Sequence, residues 1–199
     1  MSVPPRGRNT VAISIIRPVV LVGALIVMFV ALLGWCTCMP GQRHEGALPE
    51  LTEPQASTQK MLEGHVNLLA GPLVPRNHLD PGNYAKARAY IREQLAAMHH
   101  YDVSEQKVEG DKKPSYNVVA EIKGAEFPDE VVIIGAHYDS VSLTPGADDN
   151  ASGVAVLLHL AEQLQQEQFQ RTVRFVFFTN EEPPYFLSDD MGSEVYAKR

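Results

Sequence analysis

The sequence predicts an α/β domain, a mixed and mostly parallel sheet flanked by helices, preceded by one transmembrane helix. Three observations predict it. Residues 19–36 form an unbroken apolar run. Residues 131–134 and 173–178 are later, shorter apolar runs of strand length, the second broken only by Arg174. Between them Val154, Leu157, Leu158, Ala161 and Leu164 recur at helical spacing, so the three segments form a β-α-β unit.

The first run is 18 residues long, and no charge occurs between Arg17 and Arg43. At 1.5 Å per residue, about 18–25 apolar residues cross a hydrocarbon core of about 30 Å. A cleaved signal has an apolar region of about 7–15 residues and a small-x-small cleavage site. Neither is found, so an uncleaved anchor is expected. A lipoprotein is not, because Trp35 and Thr37 precede Cys36 and Cys38. Arg6, Arg8 and Arg17 keep the N-terminal side cytoplasmic and place the rest of the chain outside. The expected divisions are a cytoplasmic 1–18, an anchor at 19–39, a linker at 40–58 and a globular part from 59 to 199. Pro40, Gly41, Gly46, Pro49 and Pro54 mark the linker.

A short helix follows on Met61, Leu62, Val66, Leu68 and Leu69, then a loop at Gly71, Pro72 and Pro75. Tyr84, Ala87, Ile91, Leu95 and Met98 predict a helix over 83–99, opened by Asp80 and Pro81. Strands are expected at 101–108 and 115–123. The run at 131–134 reads as a strand buried on both faces. The order α, β, β, β, α, β fits a sheet with helices on its faces.

The formal net charge is −7, and beyond the three N-terminal arginines the chain carries −10. That balance excludes nucleic acid as a partner, since phosphate binding needs clustered Lys and Arg. Both cysteines lie at the end of the apolar run, which excludes a disulfide framework and a thiolate metal site in the globular part.

Three polar groups stand where an open α/β sheet places its ligands, at the carboxyl ends of strands. They are His137, Tyr138, Asp139 and Ser140 after one strand, residues 146–150 at a helix start, and Asn180, Glu181 and Glu182 after another. A right-handed crossover brings both strand ends to one edge. Imidazole and carboxylate are ligands that zinc accepts, and a carboxylate can bridge two ions. Asp139, two residues behind His137, suits the role of accepting the other ring N–H. Of adjacent Glu181 and Glu182, one can bind metal while the other stays free as a general base. The remaining six histidines share no such motif. Tyr138, Ser140 and Ser152 lack the Gly-x-Ser-x-Gly elbow of a nucleophile.

The motifs Gly-Ala-His-Tyr-Asp-Ser, Gly-Ala-Asp-Asp-Asn-Ala-Ser-Gly, Asn-Glu-Glu and Met191-Gly192-Ser193, in this order, resemble the co-catalytic di-zinc aminopeptidases. That family includes glutamate carboxypeptidases and the non-enzymatic transferrin-receptor ectodomain. The resemblance covers about residues 60–199. It implies two zinc ions, a peptide substrate, His137 on one ion, Asp149 bridging, Glu182 on the other and Glu181 as general base. It also implies one further aspartate and one further histidine from later strands. No histidine follows His159, and Asp189 and Asp190 come too early. The chain is therefore expected to be an incomplete catalytic domain, inactive alone, with strand 173–179 open along one edge. Residues 183–187 replace the family's usual glycine-containing turn, either shaping a substrate pocket or forming a proline-set loop. The rival readings are a single-zinc glutaminyl cyclase and a binding ectodomain.

Overall fold

The computed structural model describes residues 8–38, 41, 44–109 and 114–198. Arg6, Pro40, Arg43 and the rest of the first seven residues lie outside the described residues, so the cytoplasmic segment and linker are described only in part. The chain forms two compact units, Met1–Pro49 and Glu50–Arg199.

In the first unit, helix α1 spans Arg8–Thr37 with Pro18 inside it. Within its Arg17–Thr37 stretch an 18-residue window has mean hydropathy 2.8, and none of that window is buried. These 21 residues are long and apolar enough to cross a membrane, and a signal sequence has the same character. The helix reaches back through Pro18 into the segment read as a cytoplasmic tail.

The second unit opens with α2 at Glu53–Leu69. This helix starts earlier than expected, inside the stretch read as linker. The reason is local: the Gln55 side chain accepts from the Thr52 backbone N–H at 2.9 Å, and Pro54 sits in the first turn. Helix α3 covers Pro81–Ala97, with Asp80 Oδ1 accepting from Asn83 N–H at 3.0 Å. Strands β1 (Asp102–Val108), β2 (Ser115–Ile122) and β3 (Phe127–His137) follow. Helix α4 is Gly153–Leu164, β4 is Arg171–Phe178 and α5 is Gly192–Ala197.

The strands form one sheet in the order β1-β2-β4-β3. It is mixed, but not mostly parallel as the sequence predicted: β1–β2 and β2–β4 are antiparallel and only β3–β4 is parallel. β1 and β2, successive in sequence, pair antiparallel, and α4 lies in the crossover between the parallel strands β3 and β4. Leu69, Ile91, Leu95, Val154, Leu158 and Ala161 of α2, α3 and α4 pack on Val118, Ala120, Phe175 and Phe177. On the opposite face Tyr196 of α5 meets the Phe178 ring edge-on at 5.8 Å.

The two apolar runs have different fates. β4 is central, with Phe175, Val176 and Phe177 fully buried. β3, predicted to be buried on both faces, lies at the sheet's edge, and Val131, Val132 and Ile133 are 36%, 44% and 50% exposed. The open edge therefore belongs to β3 and not to 173–179. Both strands have the apolar composition of a covered strand, but in this sheet only β4 has neighbours on both sides.

Candidate metal centre

The parallel pair delivers its side chains to one edge. His137, the last residue of β3, is paired with Phe178, the last of β4. Tyr138 N–H continues the ladder to Phe178 O at 2.9 Å. Just beyond, the nearly buried Asp139 carboxylate accepts from the backbone N–H groups of Glu181 at 3.1 Å and Glu182 at 2.9 Å. One side chain from the end of β3 thus fixes the backbone of the Glu-Glu pair after β4.

Asp149 arrives from a different direction. Residues Ala147–Ser152 form a turn in which Asp149 and Asn150 leave helical geometry, at φ −112°, ψ 93° and φ −137°, ψ 42°. Gly146 enters it at φ 61°, the left-handed region, and a Cβ there would lie 2.7 Å from Ser140 Cβ and 2.8 Å from Arg76 Nη2. Asn150 Oδ1 then accepts from Gly153 N–H at 3.0 Å, which starts α4. Asp149 is therefore not the N-cap of α4. Its carboxylate is free to turn to the sheet edge, where Oδ1 is 2.9 Å from His137 Nε2.

These placements converge. His137, Glu181 and Glu182 each offer a ligand atom, and these atoms lie within 4.8 Å of one another. His137 Nε2 is 3.7 Å from Glu181 Oε2, besides its contact with Asp149. Burial opposes a charge on His137, but Asp139, Glu181 and Asp149 outweigh it and raise the imidazole pKa to about 9. Glu181 is pushed up by burial and by Asp139 and Asp149, against the pull of His137. Glu182 is likewise pushed up by burial, then by the carboxylates of Asp149, Asp139 and Glu181. Four carboxylates crowd one imidazole, an arrangement that a divalent cation neutralises, and the donors are those zinc accepts. The residues present thus fit zinc.

Asp139 lies beside the ring and is the strongest of the groups that raise the His137 pKa. Its Oδ1 stands 3.5 Å from His137 Nδ1, and that buried nitrogen has no hydrogen-bond partner among the described residues. Asp189 pairs with Lys198 at 2.7 Å, and the Asp190 carbonyl accepts from Asn180 Nδ2 at 3.1 Å. Neither is in the cluster. The hydroxyls of Ser140 and Ser152 serve the backbone, accepting from Arg76 N–H and donating to Asp148 O. His65 contacts Tyr90, His78 packs on Tyr185, and His159 lies beside Glu162, all apart from the cluster.

Sequence reasoning missed Arg76 and Asn77, which lie in the loop read only as Gly71, Pro72 and Pro75. Arg76 is fully buried and Asn77 is 4% exposed. Asn77 Nδ2 donates to Ser140 O at 2.7 Å and Ser142 Oγ at 3.1 Å. No spacing or motif marks either residue, because most of their partners are carbonyls and hydroxyls more than 60 positions away.

Fold and site together define an open α/β protein with an imidazole–carboxylate cluster of metal-ligand type at the carboxyl edge of its parallel strands. Residues 117–199 match the family described as Peptidase family M28. The chain is 39% identical over 182 residues to the uncharacterized protein YfbL of Escherichia coli strain K12, covering 87% of this chain and 54% of that protein. It is 40% identical over 77 residues to aminopeptidase YwaD of Bacillus subtilis strain 168, which is 39% of this chain and 15% of that one. Among solved structures, a zinc-dependent exopeptidase of Parabacteroides distasonis shares the fold at TM-score 0.53 and 22% identity, over 77% of this chain and 57% of that one. A glutaminyl cyclase of Macrostomum lignano shares it at TM-score 0.54 and 23% identity, over 81% and 54%. Residues 117–199 are thus similar to Peptidase family M28, and part of the chain is similar to an aminopeptidase. The chain spans about half the length of YfbL and of these structures.

Proposed function

We propose that the chain carries part of the catalytic site of a membrane-anchored zinc aminopeptidase that hydrolyses N-terminal peptide bonds. The observation that carries this reading is the Glu181-Glu182 pair, locked by Asp139 and gathered with His137 into one cluster. In this reading His137 would hold one ion, Glu182 a second, and Asp149 would serve both. Zinc, when bound, supplies Lewis acidity that acidifies a water and polarises a carbonyl. Glu181 takes the proton from the attacking water and hands it to the leaving amine. Its raised pKa suits both halves of that task. Asp139 holds Glu181 and Glu182 in place through their N–H groups. The apolar α1 is the anchor, with Arg17 on the cytoplasmic side and the site outside.

A single-zinc glutaminyl cyclase is the second reading, favoured by the gathering of His137, Glu181 and Glu182 into one group of ligand atoms. Metal content and products separate the two. The peptidase reading expects two ions per site and free N-terminal amino acids. One ion per site and a cyclised product from N-terminal glutamine would replace it.

A further inference from the structure

Arg76 is a guanidinium with no exposed surface and no carboxylate at salt-bridge distance among the described residues. Stripping an ion of water costs several kcal/mol, so a buried arginine is retained only where its donors are well used. Here four bonds go to backbone carbonyls. Nε donates to Tyr138 O at 3.0 Å, Nη1 to Leu69 O at 2.6 Å and Pro145 O at 2.9 Å, and Nη2 to Gly146 O at 2.9 Å. The backbone of Arg76 closes a further pair with Ser140, its N–H donating to Oγ at 3.2 Å and its carbonyl accepting from Ser140 N–H at 3.1 Å.

The location of those carbonyls is what matters. Tyr138 lies between His137 and Asp139. Pro145 and Gly146 lead directly into the turn that carries Asp149. Leu69 ends α2 and is a fixed reference in the core. One planar group therefore spans the two segments that present His137 and Asp149 and ties both to the body of the domain. Gly146 has no room to shift, since even a Cβ would meet Nη2. A lysine offers one ammonium on a flexible stem and cannot hold three separated segments in a plane.

We infer that Arg76 is a positioning residue of the metal centre: its buried guanidinium sets the approach of Asp149 to His137 by holding the carbonyls of Tyr138, Pro145 and Gly146. It touches neither substrate nor ion and acts through the backbone of the ligand segments. The inference rests on the zinc reading of the site.

The test uses the full chain in lipid nanodiscs, with zinc affinity measured by competition and the d–d spectrum of bound cobalt as the reporter of ligand geometry. Arg76→Lys is compared with Asn77→Ala, which removes two bonds to the 140–142 loop but none to residues 138, 145 or 146. A positioning role predicts that Arg76→Lys weakens zinc by about 10–100-fold and alters the cobalt spectrum. Asn77→Ala, at a comparable loss of thermal stability, leaves both near the wild type. Arg76→Ala prepared with methylguanidinium recovers the wild-type spectrum and loses it on dialysis, which keeps the test open if Arg76→Lys does not fold. A wild-type spectrum and affinity in Arg76→Lys, or a spectrum in Arg76→Ala that is indifferent to methylguanidinium, overturns the inference and reduces Arg76 to a stability residue. Failure of the wild-type chain to take up either metal would instead remove the zinc reading, and this inference with it.

Discussion

In the proposed reading, His137 and Glu181 carry the chemistry at the scale of single residues. Of the four carboxylates around the His137 ring, Asp139, Glu181 and Asp149 raise its pKa to about 9, well above the ordinary 6.5. In the metal-free chain that protonated ring adds stability that is fully present below about pH 6.5 and lost as pH rises through about 9. Zinc needs the neutral ring, so proton and metal compete. Zinc affinity should rise with pH, by about tenfold per unit from this one proton, and level off above pH 9. Titrating zinc at several pH values checks this, and a flat profile from pH 7 to 9 contradicts the raised pKa. Glu181→Gln isolates the base from the ligands. It should keep zinc and lose about 10²–10⁴-fold in peptide hydrolysis in the protein that shows activity. Zinc content and turnover on one sample decide it: lost zinc makes Glu181 a ligand, and near-normal turnover removes it as the base.

Among the elements, the contrast between β3 and β4 carries the clearest consequence. Phe175 lies in the centre of the sheet with no exposed surface, whereas Val132 on the edge strand is 44% exposed. Phe175→Ala leaves a cavity among packed helices and should destabilise the domain by about 3–5 kcal/mol. Val132→Ala should cost about 1 kcal/mol or less, because the residue is only partly withdrawn from water. Denaturant unfolding of both variants measures the difference, and equal losses would mean that β3 is covered in solution. The exposed edge of β3 also offers unpaired backbone and apolar side chains, the features that drive strands to associate.

At the scale of the whole molecule, the chain separates into two units of opposite character. Helix α1 exposes Val20, Leu25, Phe29 and Leu33 without a protein core to cover them. The unit from Glu50 to Arg199 has its own core of apolar side chains from α2, α3, α4 and the sheet. The full chain should fractionate with membranes and resist alkaline carbonate. Residues 50–199 alone should be released while keeping the circular dichroism of an α/β domain. Carbonate extraction of the full chain would argue against a spanning helix and for removal or peripheral binding of the segment.

The metal-binding residue types, their order along the chain and their place at strand ends were legible in the sequence. A β-α-β pattern with polar groups after each strand permits few other layouts, since the crossover has one hand. The apolar N-terminal run was legible for a similar reason, because length and composition alone decide whether a helix can span a bilayer. Tertiary structure decided what depends on neighbours distant in sequence. It put β3 at the edge and β4 in the centre, although both runs read alike. It turned two of the three strand pairings antiparallel. It gave Asp139 to the N–H groups of Glu181 and Glu182 in addition to setting it beside the His137 ring. It also made Arg76, an unremarkable loop residue in the sequence, the hub of four carbonyls. Periodicity and motif report what a residue can do within its own segment. Burial, register and the partners of a buried charge are properties of segments meeting across the fold, and no local pattern records them.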